Sequence, residues 1–217
     1  MAPKRAAALR DAALGSHADA AYPSLREHLV AMTGELLGDV SLGALTTRQI
    51  ARHAGVSDGV LYNHFADKSE LIIASLVDRY ARLLDAFEAQ TPTVGEGTVE
   101  ANLQAFARAL SGLEADVLLL GAGLLADPAL LAGFWTEIHR SPFGPERLMK
   151  PLRAYLEGER AAGRVSPSLD VNATTTLVFG ASAMVALTRR LNPQANGSRL
   201  DAQLDAAITT LVRGLEG

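Results

Sequence analysis

A chain of 217 residues, 48% hydrophobic and 20% charged, can bury about two-thirds of its unfolded surface in one large or two small domains. It contains no cysteine, which excludes disulfides, thiolate metal sites and a cysteine nucleophile. A formal net charge of −4 argues against a protein coated in nucleic acid, because phosphate binding leaves a basic footprint.

Residues 1–21 are Ala-rich with scattered charge and no apolar stripe, as expected of a flexible N-terminal arm. Lys4, Arg5 and Arg10 give it a small positive charge, and contact with DNA is the sharper alternative. Arg10, Asp11, His17 and Asp19 interrupt any apolar core, so no export signal is predicted and the cytoplasm is the expected compartment. A helix is expected from about Pro23, with Leu25, Leu29, Met32 and Leu36 on one face and a stop near Gly38. Thr46 and Gln49 then form a capping box, which starts a short helix near Thr47. That helix turns Ile50, Ala51 and Ala54 inward and ends at Gly55, a residue suited to a tight interhelical turn.

Ser57 is expected to cap a second short helix holding Val60, Leu61, His64 and Phe65. Asp67 with Glu70 caps a long helix through roughly Glu88, whose stripe of Leu71, Ile72, Leu76, Tyr80, Leu83, Leu84 and Phe87 has helical period. The segment Thr91-Pro92-Thr93-Val94-Gly95-Glu96-Gly97 reads as a linker separating the N-terminal unit from everything after it. Further helices are expected at about 98–112, 115–126, 128–140, 146–163, 170–191 and 199–215, which makes the chain all-α. The apolar run from Val117 to Ala126 is about half the roughly 20 residues needed to span a bilayer and reads as a buried helix, so no membrane partner is expected.

Two short helices joined by a Gly-containing turn, apolar inside and polar outside, are the geometry that lays a second helix into the major groove. The segment Thr47-Arg48-Gln49-Ile50-Ala51-Arg52-His53-Ala54-Gly55-Val56-Ser57-Asp58-Gly59-Val60-Leu61-Tyr62-Asn63-His64-Phe65-Ala66-Asp67-Lys68-Ser69-Glu70-Leu71 closely resembles the N-terminal signature of the TetR (tetracycline-repressor-like) family. The resemblance implies a helix-turn-helix DNA-binding domain at 22–66, a connector helix at 67–90, and an effector-binding and dimerisation domain at 91–217. It places Thr47, Arg48, Ser57, Gly59, Val60, Tyr62, Asn63, His64 and Lys68 where the family touches DNA. Ser57, Tyr62, His64 and Lys68 would hold phosphates, while Asn63 and the Gly59–Val60 surface would meet base edges. For Tyr62 a ring packed on the bundle, and for His64 and Lys68 a local role at a helix end, are the alternatives. Asp58 departs from the pattern by setting an anion at the front of the reading helix, where it favours the helix dipole but repels phosphate.

The same resemblance implies an effector cavity, for which Phe87, Phe106, Leu110, Leu118, Phe134, Trp135, His139 and Tyr155 are the candidates, ordinary core being the alternative for each. Gly180, Ala183 and Leu187 in one helix, with Leu204, Ile208 and Leu211 in the last, are the candidate dimer interface. The five histidines are dispersed without ligand spacing, so no metal and no cofactor is expected, and no nucleophile–base arrangement suggests an enzyme. The expected partners are a double-stranded DNA operator, a second copy of the chain and a small, largely apolar effector that releases a repressor. The alternative is a helical module that binds an apolar ligand without sequence-specific DNA binding, discriminated by selecting bound sequences from random duplex DNA.

Overall fold

The computed structural model describes residues 24–39, 42–142, 144–192 and 194–216. The expected arm at 1–21 lies outside them. The elements are α1 (Leu25–Asp39), a 3-10 turn (Leu42–Ala44), α2 (Thr47–His53), α3 (Asp58–Leu61), α4 (Lys68–Glu88), α5 (Val99–Leu125), α6 (Pro128–Arg140), α7 (Pro145–Ala161), α8 (Val171–Leu191) and α9 (Gly197–Glu216). There is no strand among the described residues, and the fold is all-α.

Two expected boundaries move. The helices foreseen at 98–112 and 115–126 are one 27-residue α5, because neither a proline nor a capping bond interrupts them and Gly112 alone costs a helix only about 1 kcal/mol. The second short helix ends at Leu61, so His64 and Phe65 lie beyond it, in turns whose N–H groups still bond to the Leu61 carbonyl.

Compactness divides the chain differently from sequence order. One unit comprises the residues up to Tyr80 together with Gly123–Ile138, and the other Ala81–Ala122 together with His139–Gly217. The division thus falls within α4, α5 and α6 rather than at 66 or 90.

The first unit buries Leu29, Leu45, Ile50, Leu71, Ile72 and Leu76 completely or nearly so. The end of α5 and most of α6 complete its core through close approaches. A Cβ on Gly123 would overlap Leu42, and one on Gly133 would meet the tip of Ile73. Phe134 sets its ring edge-to-face on Tyr80, centroids 6.2 Å apart.

In the second unit α5 is the central element. Ser182 Oγ donates to the Ala107 carbonyl at 3.1 Å and Arg190 Nε to the Ala115 carbonyl at 2.9 Å, so α8 runs parallel to α5 at a constant offset of 75 residues. α9 returns along both, held by Arg189–Asp201 at 2.7 Å and Arg108–Asp205 at 2.6 Å. By length and composition α8 is apolar enough to cross a membrane, and only 39% of that stretch is buried within the chain.

The expected linker at 91–97 is no boundary. It belongs to the second unit, where Gly95 and Gly97 take positive φ (+84° and +57°) and the loop is pinned to α7. Glu159 Oε1 accepts the Gly95 N–H at 3.0 Å, and Asn102 Nδ2 donates to the Glu96 carbonyl at 2.7 Å and to the Tyr155 hydroxyl at 3.0 Å. Burial pushes the Tyr155 phenol above its ordinary pKa. Arg147 at the head of α7 bonds Glu88 and Asp85 in the last turn of α4 at 2.6 and 2.7 Å. Its hydrogen bond holds the Glu88 carboxyl below the usual carboxylate range.

Candidate nucleic-acid interface

Local chemistry sets the geometry of α2 and α3. Thr46 is extended, its hydroxyl accepts the Gln49 N–H at 3.3 Å, and Gln49 Oε1 accepts the Thr46 N–H at 2.8 Å. Both orphan donors at the start of α2 are thereby satisfied. The helix closes over Gly55 at φ +69°, with the Gly55 N–H on the Arg52 carbonyl and the Val56 N–H on the Ala51 carbonyl. A residue with a Cβ would be strained there. Buried His28 on α1 fixes the turn, its Nε2 lying 3.1 Å from the Ala54 carbonyl oxygen.

α3 starts differently from expectation. Ser57 occupies the cap position in extended conformation, but its hydroxyl makes no capping bond. The Val60 N–H instead reaches the Ser57 backbone carbonyl at 2.9 Å. The hydroxyl therefore remains exposed for another partner.

Ile50, Ala51, Ala54, Leu61 and Phe65 are buried, which fixes the opposite faces of α2 and α3 outward. Arg48, Ser57, Gly59 and Asn63 are exposed, and Thr47, Val60, His64 and Lys68 are half-buried. Tyr62 is 58% exposed, so its ring is not packed on the bundle. Among the described residues, nothing beyond its own helix turn and chain neighbours lies within 4 Å of where a Gly59 Cβ would stand. Lys68 Nζ donates to the Leu45 carbonyl at 2.9 Å, which ties the first turn of α4 to the residue before the Thr46 cap. That tie escaped the sequence, as did Arg26, which lies 4.5 Å over the Phe65 ring and reaches Glu70 at 3.4 Å. Both contacts join residues far apart in the chain and leave no periodic trace.

The other candidate residues separate. Phe87, Phe106, Leu110 and Tyr155 are buried in the second unit, Phe87 and Phe106 with ring centroids 5.0 Å apart. Phe134 and Trp135 belong to the first unit. Leu118 and Trp135 are 40% and 45% exposed, and His139 is exposed. Leu204 and Ile208, expected at a dimer interface, are each only 1% exposed. Their stripe faces the chain's own core, because α9 packs against α5 and α8. Gly180, Ala183 and Leu187 are exposed and Leu211 is half-buried.

Two short helices joined by a glycine turn, with an apolar back and a polar front, on an all-α chain, define a helix-turn-helix unit. Residues 29–74 match the family model for bacterial regulatory proteins, tetR family. The HTH-type transcriptional regulator BetI of Cronobacter sakazakii is 36% identical over 83 residues, covering 38% of this chain and 41% of that one. BetI of Escherichia coli K12 is 36% identical over 80 residues, covering 37% and 41%. The match thus spans about two-fifths of these relatives' own length. Among solved structures, a protein assigned as a TetR-family regulator from Mesorhizobium loti superposes with a TM-score of 0.75 at 17% identity, over 89% of this chain and 97% of that one. The regulator FadR of Bacillus subtilis, in complex with stearoyl-CoA, gives 0.58 at 19%, over 87% and 98%. Residues 29–74 are thus similar to the tetR-family helix-turn-helix domain, and the fold of the chain as a whole is similar to that of the solved neighbours.

Proposed function

We propose that this protein is a non-catalytic, cytoplasmic transcriptional regulator that binds a pseudo-palindromic operator as a homodimer and is released by a small, largely apolar effector. The outward face of α2 and α3 carries this reading. It presents hydroxyl, amide, cationic and aromatic groups on a rigid buried back, and at Gly59 an open backbone. Asn63 and the Gly59–Val60 surface read base edges, while Thr47, Arg48, Ser57, Tyr62, His64 and Lys68 hold phosphates.

The dimer forms on the outer face of α8. Leu177, Gly180, Met184, Leu187 and Leu191 recur there at helical spacing, and all are exposed in the single chain. Ala206, Ala207, Leu211 and Gly214 supply the adjoining small-residue face of α9. Two copies of this pair make a four-helix bundle. The outer apolar face of α8 then meets protein rather than lipid, in keeping with the buried Thr174, Thr175 and Ser182 on its inner face.

Selection of bound sequences from random duplex DNA tests the reading. The expected result is an inverted repeat whose half-sites lie one or more helical turns apart, roughly 34–36 Å or more. No enrichment over input would overturn it.

A further inference from the structure

The acidic side chains around the reader are mostly occupied by the chain itself. Glu27 accepts from Ser24 Oγ at 3.1 Å, Glu35 pairs with His53 at 2.9 Å, Asp67 accepts the Glu70 N–H at 2.9 Å, and Glu70 accepts the Ala66 N–H at 2.7 Å. Asp58 differs. It is exposed in the first turn of α3, and its carboxylate has neither a hydrogen bond nor an ion pair with any described residue. The fold therefore makes no use of this anion, and its position on the reader has to be understood from what it meets outside the chain.

A carboxylate on a DNA-facing surface is repelled by every phosphate. In the major groove it is also opposed by O6 and N7 of guanine and O4 of thymine, all of them acceptors. The donors there are the amino groups at N4 of cytosine and N6 of adenine. Adenine holds its N7 acceptor beside the amino group, where the second carboxylate oxygen would stand, whereas cytosine has a C–H in that place. Cytosine is thus the base that offers a carboxylate a donor with no opposing acceptor on its own ring.

Reach is consistent with such a contact. The first residues of a reading helix are those that meet base edges. Aspartate has a single methylene, so its oxygens arrive there only if the backbone comes close. Next to it, Gly59 leaves the backbone open, with nothing beyond its own helix turn and chain neighbours within 4 Å of a Cβ position.

We propose that Asp58 is a specificity-determining residue of the DNA interface, whose carboxylate accepts the N4–H of a cytosine in each half-site and rejects the other three bases at that position. This deepens the DNA-binding reading above and rests on it. The same charge that weakens binding to arbitrary duplex sharpens the choice of site, because discrimination is a difference between affinities and repulsion at the wrong base contributes to it.

Selection from random duplex DNA with the full chain, Asp58→Ala and Asp58→Asn tests the proposal, followed by fluorescence anisotropy on the selected duplex and on versions that replace the cytosine pair. The unaltered chain is expected to select a C·G pair at one position of each half-site. Asp58→Ala should accept all four pairs there while the other positions keep their preference, and Asp58→Asn should move the choice to adenine, whose N6 and N7 match a carboxamide. Replacing the cytosine should weaken the unaltered chain roughly ten- to hundredfold and Asp58→Ala by less than about twofold. An Asp58→Ala consensus unchanged at every position, with binding to all duplexes tightened, would show that the carboxylate only repels phosphate. Loss of preference at all positions together, in both variants, would show that Asp58 serves the fold of the reader. Either result overturns the proposal and leaves the DNA reading intact, whereas no enrichment by the unaltered chain overturns the DNA reading and the proposal with it.

Discussion

Gly59 shows how one residue separates folding from recognition. Its backbone is ordinary helix, and among the described residues a Cβ there meets nothing within 4 Å beyond its own helix turn. The fold does not require glycine, and alanine favours the helix by up to about 1 kcal/mol. Gly59→Ala should therefore hold or raise the melting temperature while weakening operator binding by about tenfold, because the added methyl stands on the face proposed to approach the bases. Thermal unfolding and fluorescence anisotropy on the same preparation check both halves; unchanged operator affinity would remove Gly59 from the interface. Burial of Glu114 on α5 makes a second residue-scale prediction. Its carboxyl titrates near 4.5 in an open chain and near 8 in the fold, so across that window the unfolded chain has released a proton that the folded chain still holds. Stability from this group is complete below about 4.5 and is lost as pH rises toward 8. The loss is on the order of 2–4 kcal/mol once solvent contact with the carboxyl is allowed for. Glu114→Gln should flatten the decline of melting temperature between pH 5 and pH 8, and an equally steep decline in the variant would show that another group causes it.

At the scale of elements, two glycines make opposite predictions. The Cβ of Gly123→Ala would overlap both Cδ1 and Cγ of Leu42 in the 3-10 turn, so that the whole side chain must move, whereas that of Gly133→Ala overlaps only the terminal carbon of Ile73. Overpacking costs about 1–3 kcal/mol, while Gly→Ala within a helix returns about 1. Gly123→Ala should lower the melting temperature and Gly133→Ala should leave it level or raise it; denaturant titration of both variants would show whether the order is reversed. The elements around the reader were legible in the sequence because their signals are local: Thr46 and Gln49 are three residues apart, and Gly55 ends α2 by itself. What the sequence hid depends on distant partners. The loop at 91–97 looks like a linker until Glu159, 64 residues on from Gly95, is seen to hold it. Leu204 and Ile208 form an apolar stripe that points equally well at a partner or at the chain's own core, and periodicity cannot tell the two apart. Trp135 and His139 are a turn apart on α6, yet spacing alone did not show that both face outward.

For the molecule as a whole, α8 is the element with a large apolar face left uncovered in the single chain. Its inner face is packed, while Leu177, Met184 and Leu191 on the outer face are 58%, 64% and 76% exposed. A carboxylate sealed into the proposed interface without a partner costs on the order of 3–5 kcal/mol. Met184→Glu should therefore yield a folded monomer in analytical ultracentrifugation and abolish binding to the two-half-site operator, and a variant that stays dimeric would move the interface elsewhere. The proposed pairing on α8 also sets a dosage rule for the cell. Below the dissociation constant of the pair, the concentration of dimer varies as the square of the concentration of chain, so a twofold dilution by cell growth without new synthesis lowers the concentration of the pair by about three-quarters. Repression would then lapse first in the cells with the fewest copies, before any effector has been encountered.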